Sequence, residues 1–154
     1  MTTDAVNESF NEYVTAVIGG QIFGLPILHV QDVFAVTRLT RVPLAPPEIA
    51  GLLNLRGKIV TLIDLRRRFG FDAVASDGPR MAVGIEANGE SYGLLIDSIG
   101  EVMRLDAEDC EPVPINLDPQ LAEIASGVYR LDGGLLVVAD VGRILSLGGT
   151  ELAA

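Results

Sequence analysis

Gly51-Leu52-Leu53-Asn54-Leu55-Arg56-Gly57-Lys58-Ile59-Val60-Thr61-Leu62-Ile63-Asp64-Leu65 contains a turn, a strand and a helix start in fifteen residues. Arg56 precedes a glycine suited to a tight turn, and Ile59 to Ile63 form a β-branched-rich run long enough for one buried strand. Asp64 ends the strand and is placed to cap a short helix over Leu65 to Phe69, with Gly70 as its stop. The same unit occurs again 76 residues on: Gly51, Leu55, Gly57, Ile59, Val60, Asp64 and Leu65 fall on Gly127, Leu131, Gly133, Leu135, Leu136, Asp140 and Val141. Upstream, an offset of 69 carries Val14, Gly20, Phe23, Gly24, Leu25, Ile27, Val30 and Val33 onto Val83, Gly89, Tyr92, Gly93, Leu94, Ile96, Ile99 and Val102. Two blocks repeated in one order indicate an internal duplication of about 70 residues, too few copies for a solenoid and suited to two similar lobes.

Composition agrees with sheet. A chain of 154 residues with 49% hydrophobic side chains, 5% aromatics and no Trp must pack with Val, Ile and Leu. At this size about 68–70% of the unfolded surface can be buried without a disulfide or metal. Seventeen glycines and eight prolines at short intervals suit many short strands, so the expected class is all-β or α+β. A net charge of −10 argues against a nucleic-acid or anionic-membrane surface, because phosphate affinity needs clustered cations. The single Cys110 forms no intrachain disulfide, and Met1-Thr2-Thr3-Asp4 begins no apolar run of a signal peptide. A reducing cytoplasm is the expected compartment.

Along the chain, Met1 to Glu12 reads as a disordered tail. Tyr13–Ile18, Gly19-Gly20 and Gln21–Leu25 read as a hairpin, followed by a short helical turn running into a strand around Ile27, Val30 and Val33. Val36 to Val42 is expected as a half-buried strand with Arg38 and Arg41 outward, and Pro47 to Leu52 as a short helix. Asp72 to Arg80 is the join between repeats. Met81–Glu86 and Ser91–Ile96 form a second hairpin about Asn88-Gly89, and Asp97 to Val102 repeats the earlier turn. Asp118-Pro119 opens a helix to Ile124. Gly127–Leu131 and Gly134–Ala139 make the last hairpin, and Asp140 caps a helix from Val141 to about Leu147. Residues 148–154 are expected as a tail.

Little chemistry is on offer. His29 and Cys110 are the sole residues of their kinds, so no multi-His metal centre or Cys-His pair with a spare ligand can be built, and no cofactor is implied. Nucleotide and serine-hydrolase signatures are missing. Asp64 and Asp140, in equivalent places of two repeats, read as helix caps rather than an acid–base pair. Asp106, Glu108, Asp109 and Glu111 read as a solvated loop, and Arg66, Arg67 and Arg68 as a solvated helix face. Where the repeats differ in charge, the shared architecture does not require the difference: Arg56 faces Asp132. Asp32 is the nearest plausible partner of Arg56 by motif position, either as a structural ion pair or as part of a recognition surface.

From Tyr13 to about Leu147 the chain resembles the CheW family of chemotaxis coupling proteins. The resemblance is plainest in Val30-Gln31-Asp32-Val33, in Ile49-Ala50-Gly51-Leu52-Leu53-Asn54-Leu55-Arg56-Gly57 with its Asn54-Leu55-Arg56-Gly57 motif, and in Ile63-Asp64-Leu65. It implies one domain over 13–147, all-β with short helices, built from two intertwined SH3-like five-stranded β-barrels. It also implies no enzymatic activity and a role as adaptor between the cytoplasmic tips of chemoreceptors and the regulatory domain of the histidine kinase CheA. By the same resemblance the receptor tip lies in the groove between the barrels, with Ile27, Val30, Ile99 and Val102 giving apolar contact and Arg56 and Asp32 polar contact; the kinase meets barrel ends at residues the resemblance does not assign. The protein would be cytoplasmic and recruited to membrane-associated arrays, without inserting in the membrane itself. The family usually has Glu where this chain has Asp32, a shorter reach towards Arg56. Two alternatives stay open: a scaffold of a non-flagellar chemosensory system driving pili, gliding or another output, and a small-molecule enzyme with a pocket between the lobes using Asp64, Asp140 or Asp32.

Overall fold

Short β-branched runs separated by glycine turns fold into hairpins, and in the computed structural model, which describes residues 10–71, 80–147 and 150–151, those hairpins build two sheets. In chain order the elements are β1 (Phe10–Ile18), β2 (Gln21–Pro26), a 3-10 turn (Ile27–His29), β3 (Val30–Val36), β4 (Ile49–Leu55), β5 (Lys58–Asp64) and α1 (Leu65–Arg68). The second half continues with β6 (Arg80–Ala87), β7 (Glu90–Ile96), β8 (Ser98–Asp106), a 3-10 turn (Ala107–Asp109), α2 (Pro119–Ile124), β9 (Ala125–Leu131), β10 (Gly134–Ala139) and α3 (Val141–Leu145). Ser146–Leu147 (β11) and Thr150–Glu151 (β12) pair as a minimal ribbon.

Lobe 1 is ordered β8-β1-β2-β10-β9 and lobe 2 is ordered β3-β6-β7-β5-β4. The two orders are the same pattern: in each, the first hairpin of one sequence repeat joins the edge strand and second hairpin of the other, through a parallel pairing of β2 with β10 or of β7 with β5. The repeats are therefore exchanged in space. Lobe 2 is a continuous stretch from Val30 to Ile96, and lobe 1 is assembled from strands on both sides of it. Each sheet curls towards an SH3-like barrel without a continuous closing ladder: one isolated bridge links the chain after the edge strand to the opposite edge, Thr40 to Leu52 in lobe 2 and Glu111 to Val128 in lobe 1. Even the helix entries match, with the Asp64 amide donating to the Glu48 carbonyl and the Asp140 amide to the Ile124 carbonyl, both at 2.7 Å.

The largest core lies between the lobes. Ile18, Phe23 and Leu25 of lobe 1, Ile63, Leu94 and Ile96 of lobe 2, and residues of all three helices form one buried cluster. Burying each such side chain contributes about 1.5–3 kcal/mol, so the lobes are stabilised chiefly by one another. Each lobe also has a small interior of its own. Lobe 2 fills it with Val36, Val60, Leu62, Ala82 and Leu95, and lobe 1 with Tyr13, Tyr129, Leu136 and Val138. The two tyrosine rings meet edge to face at 5.7 Å, with their hydroxyls 3.4 Å apart. Burial, with the Tyr13 hydroxyl beside it, pushes the Tyr129 phenol well above its ordinary range.

Several local expectations change. The turn and strand expected around Ile27, Val30 and Val33 are the 3-10 turn and β3, but the second, half-buried strand expected over Val36–Val42 does not form: β3 ends at Val36, and of the later stretch Thr40 alone pairs, in its isolated bridge. The helix expected over Pro47–Leu52 is strand β4 from Ile49, because pairing with β5 outweighs the helix-starting signal of Pro47 and Glu48. Asp97–Val102 holds no helical turn: the chain enters β8 at Ser98. The N-terminal tail is shorter than expected, since Phe10–Glu12 belong to β1 and pair with Arg104–Asp106, and Phe10 lies under the Arg104 guanidinium. Thr150–Glu151 form β12 rather than tail. Residues 1–9 and most of the join over 72–80 lie outside the described residues; Arg80 of that join opens β6. The hairpins and the Asp64, Asp118 and Asp140 caps stand where the sequence put them.

Candidate partner-binding surface

The β4–β5 hairpin is closed by two residues, Arg56 and Gly57, both at positive φ (52° and 86°), the backbone of a type I′ turn matched to strand twist. The Asn54 side-chain oxygen accepts the Gly57 amide at 3.0 Å, which gives three residues of the Asn-Leu-Arg-Gly motif a geometric reason. Held at this turn, the Arg56 side chain reaches the opposite edge of lobe 2. Its Nη2 donates to Asp32 Oδ2 at 3.0 Å, through one nitrogen rather than the two parallel bonds the guanidinium fork permits. Asp32 sits on β3 beside a register shift and opposite Gly84 of β6. A Cβ at Gly84 would collide with Asp32 Oδ1, so glycine there is what admits the carboxylate. The Arg56 side chain is 75% exposed and that of Asp32 38%, so the pair is open to a partner and solvent-screened as a stabiliser. Gln31, Phe34, Lys58 and Tyr92 continue the wall of a shallow cleft of about 260 Å3 around it.

The four apolar residues named by the resemblance come from β8 and from the 3-10 turn and strand that follow β2. Ile99 and Val102 are on β8, opposite Ala16 and Val14, and are 38% and 52% exposed. Ile27 follows Pro26, which pairs with Tyr13, and Val30 opens β3 half-buried against the inter-lobe core. Leu28, in the turn between them, is almost wholly exposed. The structure thus joins Asp32 to Arg56 directly, and sets Val30 on edge strand β3 with Asp32, Ile27 in the 3-10 turn before it, and Ile99 and Val102 on β8, the edge strand of the other lobe.

Three ionic arrangements were not foreseen. Arg68 is buried, not on a solvated face: its Nε donates to the Ile144 carbonyl at 3.0 Å and its Nη2 to the carbonyls of Arg143 at 2.7 Å and Ser146 at 3.3 Å. The signal was available, because the 76-residue offset aligns Arg68 with Ile144, a core position. Arg66 is likewise engaged, gripping Asp97 with Nε and Nη2, each at 2.9 Å, while the Gly19 amide donates to the same carboxylate at 2.8 Å. Burial opposes ionisation of Asp97, but the Arg66 and Gly19 hydrogen bonds and the charges of Arg66 and Arg80 outweigh it, holding the carboxyl below its ordinary range. Arg80 donates Nη1 and Nη2 to the two oxygens of Asp64 at 3.2 Å, so that carboxylate is cap and ion-pair partner together. Among the described residues no three His, Cys, Asp or Glu side chains group as metal ligands.

The description "CheW-like domain" matches residues 12–148. The chain belongs to the CheW-like family. Chemotaxis protein CheW of Klebsiella aerogenes is 30% identical over 135 residues, which cover 88% of this chain and 81% of that protein. Chemotaxis protein CheW of Helicobacter pylori is 29% identical over 139 residues, covering 90% and 84%. The crystal structure of the scaffolding protein TtCheW from Thermoanaerobacter tengcongensis superposes with a TM-score of 0.81 at 27% identity, over 92% of this chain and 97% of that one. The paired five-stranded sheets are accordingly the CheW-like fold. No helix among the described residues is long and apolar enough to cross a membrane.

Proposed function

We propose that this CheW-like chain is a non-enzymatic adaptor in chemotaxis signalling, coupling the cytoplasmic tips of chemoreceptors to the regulatory domain of the histidine kinase CheA within membrane-associated arrays. Family membership and likeness to a scaffolding protein support the adaptor role. The observation that carries the receptor assignment is the exposed Asp32–Arg56 pair, held by a strained turn and a glycine-cleared strand although it contributes little stability in water. A receptor helix laid along the edge strands would place apolar side chains against Ile27, Val30, Ile99 and Val102 and a polar group on the Arg56 fork, as in helix-in-groove recognition. The kinase would engage the ends of the sheets, leaving the two partners bound together.

Arg56→Ala should weaken capture of a receptor tip while moving the thermal unfolding midpoint little, and Val102→Asp, at an exposed position, should weaken receptor capture more than kinase capture. Pulldown of both partners with each folded variant checks this. Equal loss of both partners, or undiminished receptor binding by Arg56→Ala, would remove the assignment.

A further inference from the structure

The ladders β1–β8, β2–β10, β3–β6 and β5–β7 each join a strand from residues 10–71 to one from residues 80–147. What pairs within a half of the chain is hairpins: β1–β2 and β4–β5 in the first, β6–β7 and β9–β10 in the second. The hairpins of one half lie in different sheets, so neither half completes a sheet from its own strands. A two-stranded hairpin alone is marginal in water. The inter-lobe core is divided in the same way, with Ile18, Phe23 and Ile63 from the first half and Leu94, Ile96 and Ile144 from the second. Each half is thus a ligand for the other, and the chain folds by the association of two pieces that share a backbone.

The polar contacts select which pieces fit. Arg66 with Asp97, Arg80 with Asp64, and Arg68 with the carbonyls of Arg143, Ile144 and Ser146 all cross between the halves. Two first halves together would set one buried Arg68 against another in the place Ile144 fills, an uncompensated pair of like charges. Two second halves would leave the carbonyls at the end of α3 without their guanidinium. A first half therefore selects a second half, and nothing in that selection requires the second half to belong to the same chain. The halves are tethered by residues 72–79, which span at most roughly 30 Å. A short tether gives a chain's own second half an effective concentration on the order of millimolar, and a neighbouring copy competes as its concentration approaches that value.

We propose that two copies of this chain fold by exchanging halves, the first half of each completed by the second half of the other, into a closed intertwined dimer. The exchange stands on the strand pairing alone and not on the receptor assignment. Its consequence at the surface described above is a composite groove: Ile27, Val30 and the Asp32–Arg56 pair come from one copy, and Ile99 and Val102 from the other. The dimer carries two such grooves, and neither copy completes one alone.

The test is co-refolding of full-length chains in a Cys110→Ser background. One set mixes Glu12→Cys with Arg104→Cys, opposite one another across β1 and β8, and the other mixes Ala35→Cys with Met81→Cys across β3 and β6. Directly opposed residues of an antiparallel ladder lie within disulfide reach. After denaturation together and refolding at about 1 mM, both sets should give an interchain disulfide, and the yield should fall at least about tenfold on refolding at roughly 10 µM. Chains folded separately and then mixed should give none. The unsubstituted chain, refolded at the two concentrations and measured by light scattering, gives a reading free of substitutions: dimer from the concentrated solution and monomer from the dilute one. Monomer at both concentrations, no interchain disulfide after co-refolding, or equal disulfide from separately folded chains overturns the proposal. So does a disulfide in the β1–β8 set without one in the β3–β6 set, since the β1–β2 hairpin alone would then have changed places. No step reads receptor capture, so failure here leaves the receptor assignment untouched.

Discussion

Helices α1 and α3 stand in matching places in the two lobes, and both begin at an aspartate whose side chain accepts an amide of the first turn. One turn later they part. α1 buries a guanidinium at Arg68, and α3 buries Ile144 at the matching position. Arg68 then spends its donors on the carbonyls at the end of α3, including that of Ile144 itself. One lobe thus supplies the donors and the other the orphan carbonyls of a short helix end, and the joint works in one direction only. Duplication supplies two equal parts; a heterologous contact between them requires that they become unequal.

Exchanging the two residues tests that inequality most severely. Ile144→Arg places a second cation in the apolar inter-lobe core with no carbonyl cluster waiting for it, and should lower unfolding free energy by about 4 kcal/mol or more. Arg68→Ile, the reciprocal change, should cost about 2 kcal/mol because the Arg143, Ile144 and Ser146 carbonyls lose their donor while apolar volume is partly kept. Denaturant unfolding of both variants reads this directly. A neutral Arg68→Ile would mean the carbonyls find water and the joint has no preferred direction.

Asp97 offers a milder contrast, since its counterpart 69 residues earlier is the exposed Leu28. Asp97→Asn should destabilise by about 1 kcal/mol at neutral pH, discounted for the partial exposure of the pair. Because the folded-state pKa lies below the ordinary 3.8, the wild-type advantage is present above that pH and shrinks as the pH falls through the folded value. An advantage independent of pH would show that charge is not its source. The smallest effect separates the two hairpin turns. Gly57 stands at φ 86° in open space, so Gly57→Ala should cost about 1 kcal/mol from backbone strain alone. Gly133 also stands in open space without a positive φ, and Gly133→Ala should change stability by less than about 0.5 kcal/mol. Thermal melts of the pair would show whether the Arg56 turn alone is held against its preference.

Local geometry was legible wherever a residue type has few conformational options. Gly19-Gly20 and Asn88-Gly89 mark real hairpin turns with positive φ, and Asp64, Asp118 and Asp140 cap real helices. The Asp32–Arg56 contact followed from motif position together with the charge difference between repeats. Alternation alone marked Val36–Val42 as a strand and a proline start marked Pro47–Leu52 as a helix; the second reading fails because Ile49–Leu55 pairs with β5, a partner that local pattern does not contain. Arg68 was misread for a related reason: a run of three arginines looks solvated until the acceptors at the end of α3, more than seventy residues away, are in place. The repeat marked duplicated parts correctly, but its boundary is not the boundary of the lobes. Nothing in the composition of β1 and β2 says that they join β10 rather than β5; that came only with the family resemblance, which implied intertwined barrels.

The exchange also has an order in time. All five strands of lobe 2 lie between Val30 and Ile96, so during synthesis they can pair while the rest of the chain is still on the ribosome. The β1–β2 hairpin has no such luck: β8 can cover its β1 edge first, but β2 meets β10 only once Gly134–Ala139 has emerged, and until then the β2 edge stays unmatched beside a completed sheet. A hairpin made before lobe 2 is therefore completed after it, and the growing polypeptide is most prone to sticking to its neighbours in the interval between.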